Sequence, residues 1–186
     1  MLVSSFANGW ANFGIRMSLV PLFAAGALHA GDVETGVALT VFAVGNAVGI
    51  ALVGRLVDVT GRRRPLLLGL VVGAVAVLAM GWSGSVLVLS VLSALAGVGA
   101  GMVGPAQQAA VGDIVGSERS GGQVLAAFQM ASDLGAIVGP IVAGVVVDRA
   151  GYGPAFALSA VVLSVAVAVW LPQPETLPGA EHAAAR

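Results

Sequence analysis

The chain has 186 residues, of which 58% are hydrophobic and 9% charged, with a mean hydropathy of +1.00 and a net charge of −1. A soluble domain carries about 25% charged residues; a chain this poor in them cannot cover itself with polar surface, and lipid is its expected solvent. The near-neutral charge gives no electrostatic reason to bind nucleic acid, and the absence of cysteine removes disulfides, thiolate metal sites and thiol redox chemistry. No metal or cofactor is expected, because the two histidines, His29 and His182, both lie outside the apolar runs.

Six apolar runs approach the roughly 20 residues that a spanning helix needs: residues 5–28, 37–57, 65–82, 85–109, 124–147 and 154–171. They are continuous and lack the alternation of barrel strands, so the expected fold class is an all-α membrane protein with six transmembrane helices. The first basic residue, Arg16, falls inside the first run, so no cleavable signal peptide is expected.

The first run carries a polar stripe, Ser5, Asn8, Asn12 and Arg16, spaced by three and four so that one helix face holds all of them. Arginine at the centre of a lone spanning helix costs about 2.5–3.5 kcal/mol, so Arg16 must face protein or water. The second run holds Gly45 and Gly49 in a small-xxx-small pattern that allows close helix approach. It leads into GRLVDVTGRRRP, residues 54–65, where four of the eight arginines sit (Arg55, Arg62, Arg63 and Arg64). After the third run, GWSG at 81–84 formally matches a serine-protease motif of intramembrane proteases, yet neither histidine lies where it could serve as base. The fourth run carries Gly97, Gly99, Gly101, Gly104 and Pro105, which suggests a bendable or tightly packed helix. The fifth carries Gln129, Asp133, Gly135, Gly139, Pro140 and Gly144. Residues 172–186, rich in Pro and Ala, read as a disordered tail.

The loop arginines and Arg119 fall on one side of such a chain, while the opposite loops contribute only Arg149. Basic loops stay cytoplasmic, so a multi-pass protein of the cytoplasmic (inner) membrane with both termini inside is expected.

The pattern Gly45, Gly49, Gly54, Asp58, Gly61 recurs 90 residues later as Gly135, Gly139, Gly144, Asp148, Gly151. An odd number of helices separates the copies, which therefore face opposite sides, as in the inverted three-plus-three repeats of secondary transporters. The repeats would occupy residues 1–84 and 85–171.

Gly54, Asp58, Gly61, Arg62 and Arg63 resemble the signature loop of the major facilitator superfamily, with Val59 where a basic residue is usual. Gly135, Gly139, Pro140 and Gly144 are similar to its glycine-proline helix motif, with Ala143 where a glycine is often found. The resemblance runs along essentially the whole chain and implies one six-helix half, more like the C-terminal half, because the chain ends soon after the sixth run and the fourth run lacks an embedded arginine. It implies further that Asp58, with Arg62 or Arg63 as ion partner, gates the cytoplasmic side against the other half. The helices carrying Gly45, Gly49, Gly135 and Gly139 would lie at the seam between halves. Small-molecule substrate, the other half (in the same chain or separate) and the bilayer are the implied partners. The implied function is secondary transport of a small organic solute, with proton-coupled efflux as the family's common form, and no enzymatic activity.

The resemblance places the first and fourth helices at the central cavity, which makes Asn8, Asn12 and Arg16 the substrate candidates, with Trp10 and Phe13 flanking them. Arg16 and Asp133 lie at matched depths, which leaves three readings open. They are a structural ion pair, a cavity arginine, and a proton-coupled pair in which Asp133, with Gln129 one turn before it, releases Arg16. A six-helix pore or a non-transporting membrane subunit shares the composition but predicts no saturable flux.

Overall fold

The computed structural model describes residues 1–115 and 121–173, apart from the side chains at 55, 57–60, 114–115 and 121. The described residues are helical with short connections, and no strand occurs among them. The helices are α1 (Leu2–Gly9), a π-helix (Trp10–Leu19), α2 (Val20–Gly26), α3 (Asp32–Thr60), α4 (Arg63–Met80), α5 (Val86–Val115), α6 (Gly121–Ala150) and α7 (Tyr152–Trp170). The first three run on without a break as one N-terminal rod. Among the described residues, five helices, α3 to α7, are long and apolar enough to cross a membrane. They overlay the second to sixth runs predicted from sequence; most boundaries move outward by two to six residues, while α4 and α7 end, and α5 starts, one or two residues inside the predicted run.

Local chemistry explains the ends. Asp32 and Glu34 occupy the first turn of α3, where carboxylates meet the positive end of the helix dipole. Glu34 accepts a hydrogen bond from the Gly31 N–H at 3.1 Å. α3 stops at Gly61 with φ 85° and ψ 177°, and α6 stops at Gly151 with φ 87° and ψ −178°. Only glycine adopts this backbone conformation at low cost, so the two glycines spaced 90 residues apart end their helices in the same way.

α3 packs mainly on α5, α5 also on α4, α4 on α7, and the N-terminal rod on α6 and more lightly on α7. The order of neighbours is therefore α3, α5, α4, α7, N-terminal rod, α6. It reads the same from either end if α3 exchanges with α6, α5 with the rod and α4 with α7.

Backbone contact at glycine makes the closest of these seams. A Cβ on Gly45 would lie 2.2 Å from the Ala94 carbonyl oxygen, and one on Gly49 2.3 Å from that of Val98, both on α5. A Cβ on Gly135 would lie 2.1 Å from the Phe6 carbonyl oxygen, and one on Gly139 3.0 Å from Gly14 Cα, both on the rod. The reciprocal glycines obey the same offset. Gly97 of α5 meets Phe42 and Gly9 of α1 meets Ser132. These four repeat glycines thus face inward, onto helices of the same bundle, and not outward to a seam with a second half. Gly54 and Gly144 face open space.

The ends of the bundle differ. At one, Arg62 Nε lies 2.8 Å from Asp113 Oδ2 and joins the start of α4 to the end of α5. Arg63 donates to the Trp170 carbonyl at 3.4 Å and to the Leu171 carbonyl, which satisfies the last turn of α7. At the other, Phe23 of α2 packs edge-on against Tyr152 and Phe156 of α7, and the Tyr152 hydroxyl donates to the Leu22 carbonyl at 3.1 Å.

Candidate functional site

The polar stripe of the N-terminal rod runs from α1, with Ser5 and Asn8, into the π-helix, with Asn12 and Arg16. Widened hydrogen bonding begins at Trp10 and ends where the Val20 N–H reaches the Ile15 carbonyl, five residues back. Such segments often mark functional positions, since they re-aim side chains without ending the helix. Asn12 lies in it one turn above Asn8 and donates to the Asn8 Oδ1 at 3.0 Å. Arg16 follows on the same side.

These three residues line a cleft of about 320 Å³ together with Asn46 and Ile50 of α3 and Gly104, Pro105 and Gln108 of α5. Adjoining it, Asn8, Asn12 and Arg16 also border a narrow apolar pocket of about 40 Å³ walled by Phe42, Leu70, Val77, Met80 and Leu163, among others. Beside it, Gln108 borders a wide opening between α5 and α6 that reaches Gln129. The polar cleft shares Asn8, Asn12, Arg16 and Ala100 with the apolar pocket and Gln108 with the wide opening, so the three spaces adjoin one another.

Among the described residues, Arg16 is the one cationic side chain lining these spaces. Its guanidinium carbon sits 4.7 Å from the centroid of the Phe42 ring, a cation–π contact. Its Nε is buried without a hydrogen-bond partner. Among the described residues, no aspartate or glutamate lines the three spaces. Asp133 is exposed on α6 and accepts a hydrogen bond from Gln129 at 3.0 Å. The matched depths of Arg16 and Asp133 therefore do not produce an ion pair, because the two side chains leave their helices toward different neighbours.

Other candidates separate similarly. Ser5 leaves the stripe altogether, being buried and donating to the Phe128 carbonyl of α6 at 2.6 Å. Trp10 is a core residue and borders none of the three spaces. It is 4% exposed, and its Nε1–H donates to Ser159 Oγ of α7 at 3.1 Å. Phe13 is half exposed and borders none of the three spaces. Pro140 lies inside α6, near Gly14 of the rod. The Asp58 side chain, Arg119 and residues 174–186 with His182 lie outside the described residues. Ser83 of GWSG is buried and donates to the Met80 carbonyl at 2.8 Å, while His29 is exposed in the connection after α2.

Sequence reasoning missed Asn46, Gln108 and Phe42. Asn46 is the one asparagine of the second run, next to Gly45, and Gln107-Gln108 is a polar pair closing the fourth. Polar residues inside apolar runs were the available signal. Nothing in the sequence indicated the partner of Arg16, since Phe42 is one aromatic among apolar neighbours.

A family model described as Major Facilitator Superfamily matches residues 1–186. Among curated proteins, the chain is 30% identical over 166 residues to Multidrug resistance protein MdtG of Proteus mirabilis, covering 87% of this chain and 40% of that protein. It is 29% identical over 171 residues to Multidrug resistance protein 2 of Bacillus subtilis, covering 90% and 41%. The chain thus spans about two fifths of the length of these relatives. Among solved structures, the peptide transporter POT in complex with sulfate superposes with a TM-score of 0.80 at 22% identity, covering 99% of this chain and 42% of that one. A POT family transporter in complex with a thioalcohol-conjugated peptide superposes with a TM-score of 0.82 at 18% identity, covering 95% and 38%.

Proposed function

The chain belongs to the major facilitator superfamily, and from that premise we propose that it is one six-helix half, the C-terminal one, of a secondary transporter that moves a small organic solute across the cytoplasmic membrane by alternating access. The N-terminal rod, α1 through α2, serves as the first of six spans. The palindromic packing order and the paired glycine contacts support an inverted repeat of residues 1–84 and 85–171. The span of about two fifths of the relatives' length supports a half, and the absence of arginine from α5 supports the C-terminal one.

One observation carries the transport reading. Asn8, Asn12, Arg16, Asn46 and Gln108 converge on an open cleft walled by the N-terminal rod, α3 and α5. Polar groups inside a membrane bundle face the interior or water and mark solute pathways. A second six-helix unit set over that opening would enclose the cleft, and rocking the two units would expose it to either side. The arginines at 55, 62–64 and 119 favour the α3–α4 end as cytoplasmic. Two relatives carry the name multidrug resistance protein; efflux is the direction proposed, and Asp133, hydrogen-bonded to Gln129 at the edge of the wide opening, is the proposed proton carrier.

Reconstitution of the whole natural polypeptide into proteoliposomes tests this. A transporter gives saturable solute flux that follows an imposed gradient. Flux linear in concentration would instead fit a pore, and none at all a non-transporting subunit. Tagging the C-terminus in the native host and measuring the labelled mass tests the half: about twice 18.3 kDa or more fits two halves in one chain, and about 18.3 kDa requires a partner chain.

A further inference from the structure

We propose that the solute held by this half is a small organic anion with a short apolar group, its anionic oxygens on Arg16 and the surrounding amides. The inference rests on the transport reading for its setting and deepens it at the same site. Four observations point to an anion. Arg16 faces the cleft, its buried Nε is unsatisfied, its guanidinium carbon lies over the ring of Phe42, and among the described residues the lining contains no carboxylate.

A buried or half-buried cation without a counter-ion is costly. The ring of Phe42 supplies only part of what a carboxylate would. A guanidinium presents a fork of N–H donors that can bind planar oxyanions such as carboxylate or sulfonate with two parallel hydrogen bonds. Asn46 and Gln108 offer amide N–H groups on the same cleft. A cationic solute would find no charge here to pair with and would meet Arg16 as a repulsive neighbour.

The two spaces bordered by Asn8, Asn12 and Arg16 set the rest of the shape. The polar cleft of about 320 Å³ accommodates the head. The pocket of about 40 Å³, walled by Phe42, Leu70, Val77, Met80 and Leu163, takes a short apolar segment and has no room for a long chain.

The test uses the whole natural polypeptide with two permanently charged probes of similar size, benzenesulfonate and benzyltrimethylammonium. Equilibrium binding should show saturable uptake of benzenesulfonate and a preference for it over the cation. Arg16→Gln should weaken the anion about 10- to 100-fold, the scale of a lost charge-assisted hydrogen bond, and Arg16→Lys should recover part of the loss. Preference for the cation, absence of saturable anion binding, or a folded Arg16→Gln protein with unchanged anion affinity would overturn the proposal. If Arg16→Gln does not fold, the selectivity of the unaltered protein decides. Flux of the same probes separates the two readings. Saturable movement of the cation alone would leave the transport reading standing and remove the anion. Binding of the anion with no flux of either probe would do the reverse.

Discussion

Arg62 at the start of α4 grips Asp113 near the end of α5 through both carboxylate oxygens, with Nε 2.8 Å from Oδ2 and Nη2 3.4 Å from Oδ1. Both side chains are mostly buried, at 16% and 17% exposure. The pair lies at the same end as Arg63, whose guanidinium caps α7. Two consecutive arginines thereby fasten one helix start to two helix ends. Such a contact is worth more than an exposed pair, for which the typical value is about 0–1 kcal/mol.

Asp113→Asn should therefore destabilise the protein by about 1–2 kcal/mol, below the cost of breaking a fully buried pair. Thermal unfolding in detergent reads this. A double-mutant cycle with Arg62→Gln should show coupling, and strict additivity would assign the loss to other contacts.

The repeat glycines offer a contrast within one motif. A methyl on Gly45 or Gly135 would meet a carbonyl oxygen at 2.2 or 2.1 Å, whereas Gly54 and Gly144 have nothing within 4 Å. Gly45→Ala and Gly135→Ala should each cost about 1–3 kcal/mol by overpacking. Gly54→Ala and Gly144→Ala should cost far less. Yield of monodisperse protein and melting temperature distinguish the pairs, and equal effects at all four positions would contradict the inward-facing assignment.

Trp10→Phe should lower stability by about 0.5–1.5 kcal/mol through loss of the bond to Ser159. Ser159 keeps its own bond to the Ala155 carbonyl, so its hydroxyl is not left unsatisfied. Solute affinity should be unchanged. A tenfold loss of affinity with unchanged stability would return Trp10 to the cavity wall.

Asp133→Asn should leave solute binding intact and abolish accumulation driven by a pH gradient. The gain of a donor in place of an acceptor opposite Gln129 is a local change, so folding should survive. Undiminished proton-driven accumulation would remove Asp133 as the proton carrier.

Much of the architecture was legible because it depends on composition along the chain. Apolar runs of spanning length and an aspartate-glycine-arginine loop are one-dimensional signals. The 90-residue repeat was visible for the same reason, and the structure adds its physical content in the matched conformations of Gly61 and Gly151. The site was legible only in part. Spacing put Ser5, Asn8, Asn12 and Arg16 on one face, but the π-helix and the contact with α6 divide that face, turning Ser5 into the protein. Depth matching suggested Arg16 with Asp133. Depth says nothing of azimuth, and the Phe42 ring occupies the direction in which Arg16 points. Asn46 and Gln108 come from two other helices, and their convergence depends on glycine contacts between α3 and α5 that no single run encodes.

The central claim is that the cleft at Asn12 is the solute pathway, exposed alternately to the two sides of the membrane. This chain contains no cysteine, so a thiol can be placed in it singly. Asn12→Cys, in the whole polypeptide freed of any cysteine elsewhere and reconstituted with known orientation, should react with a membrane-impermeant thiol reagent added to either side, and full labelling should abolish solute flux. Reaction from one side only under every gradient, or flux that survives complete labelling, would contradict the account.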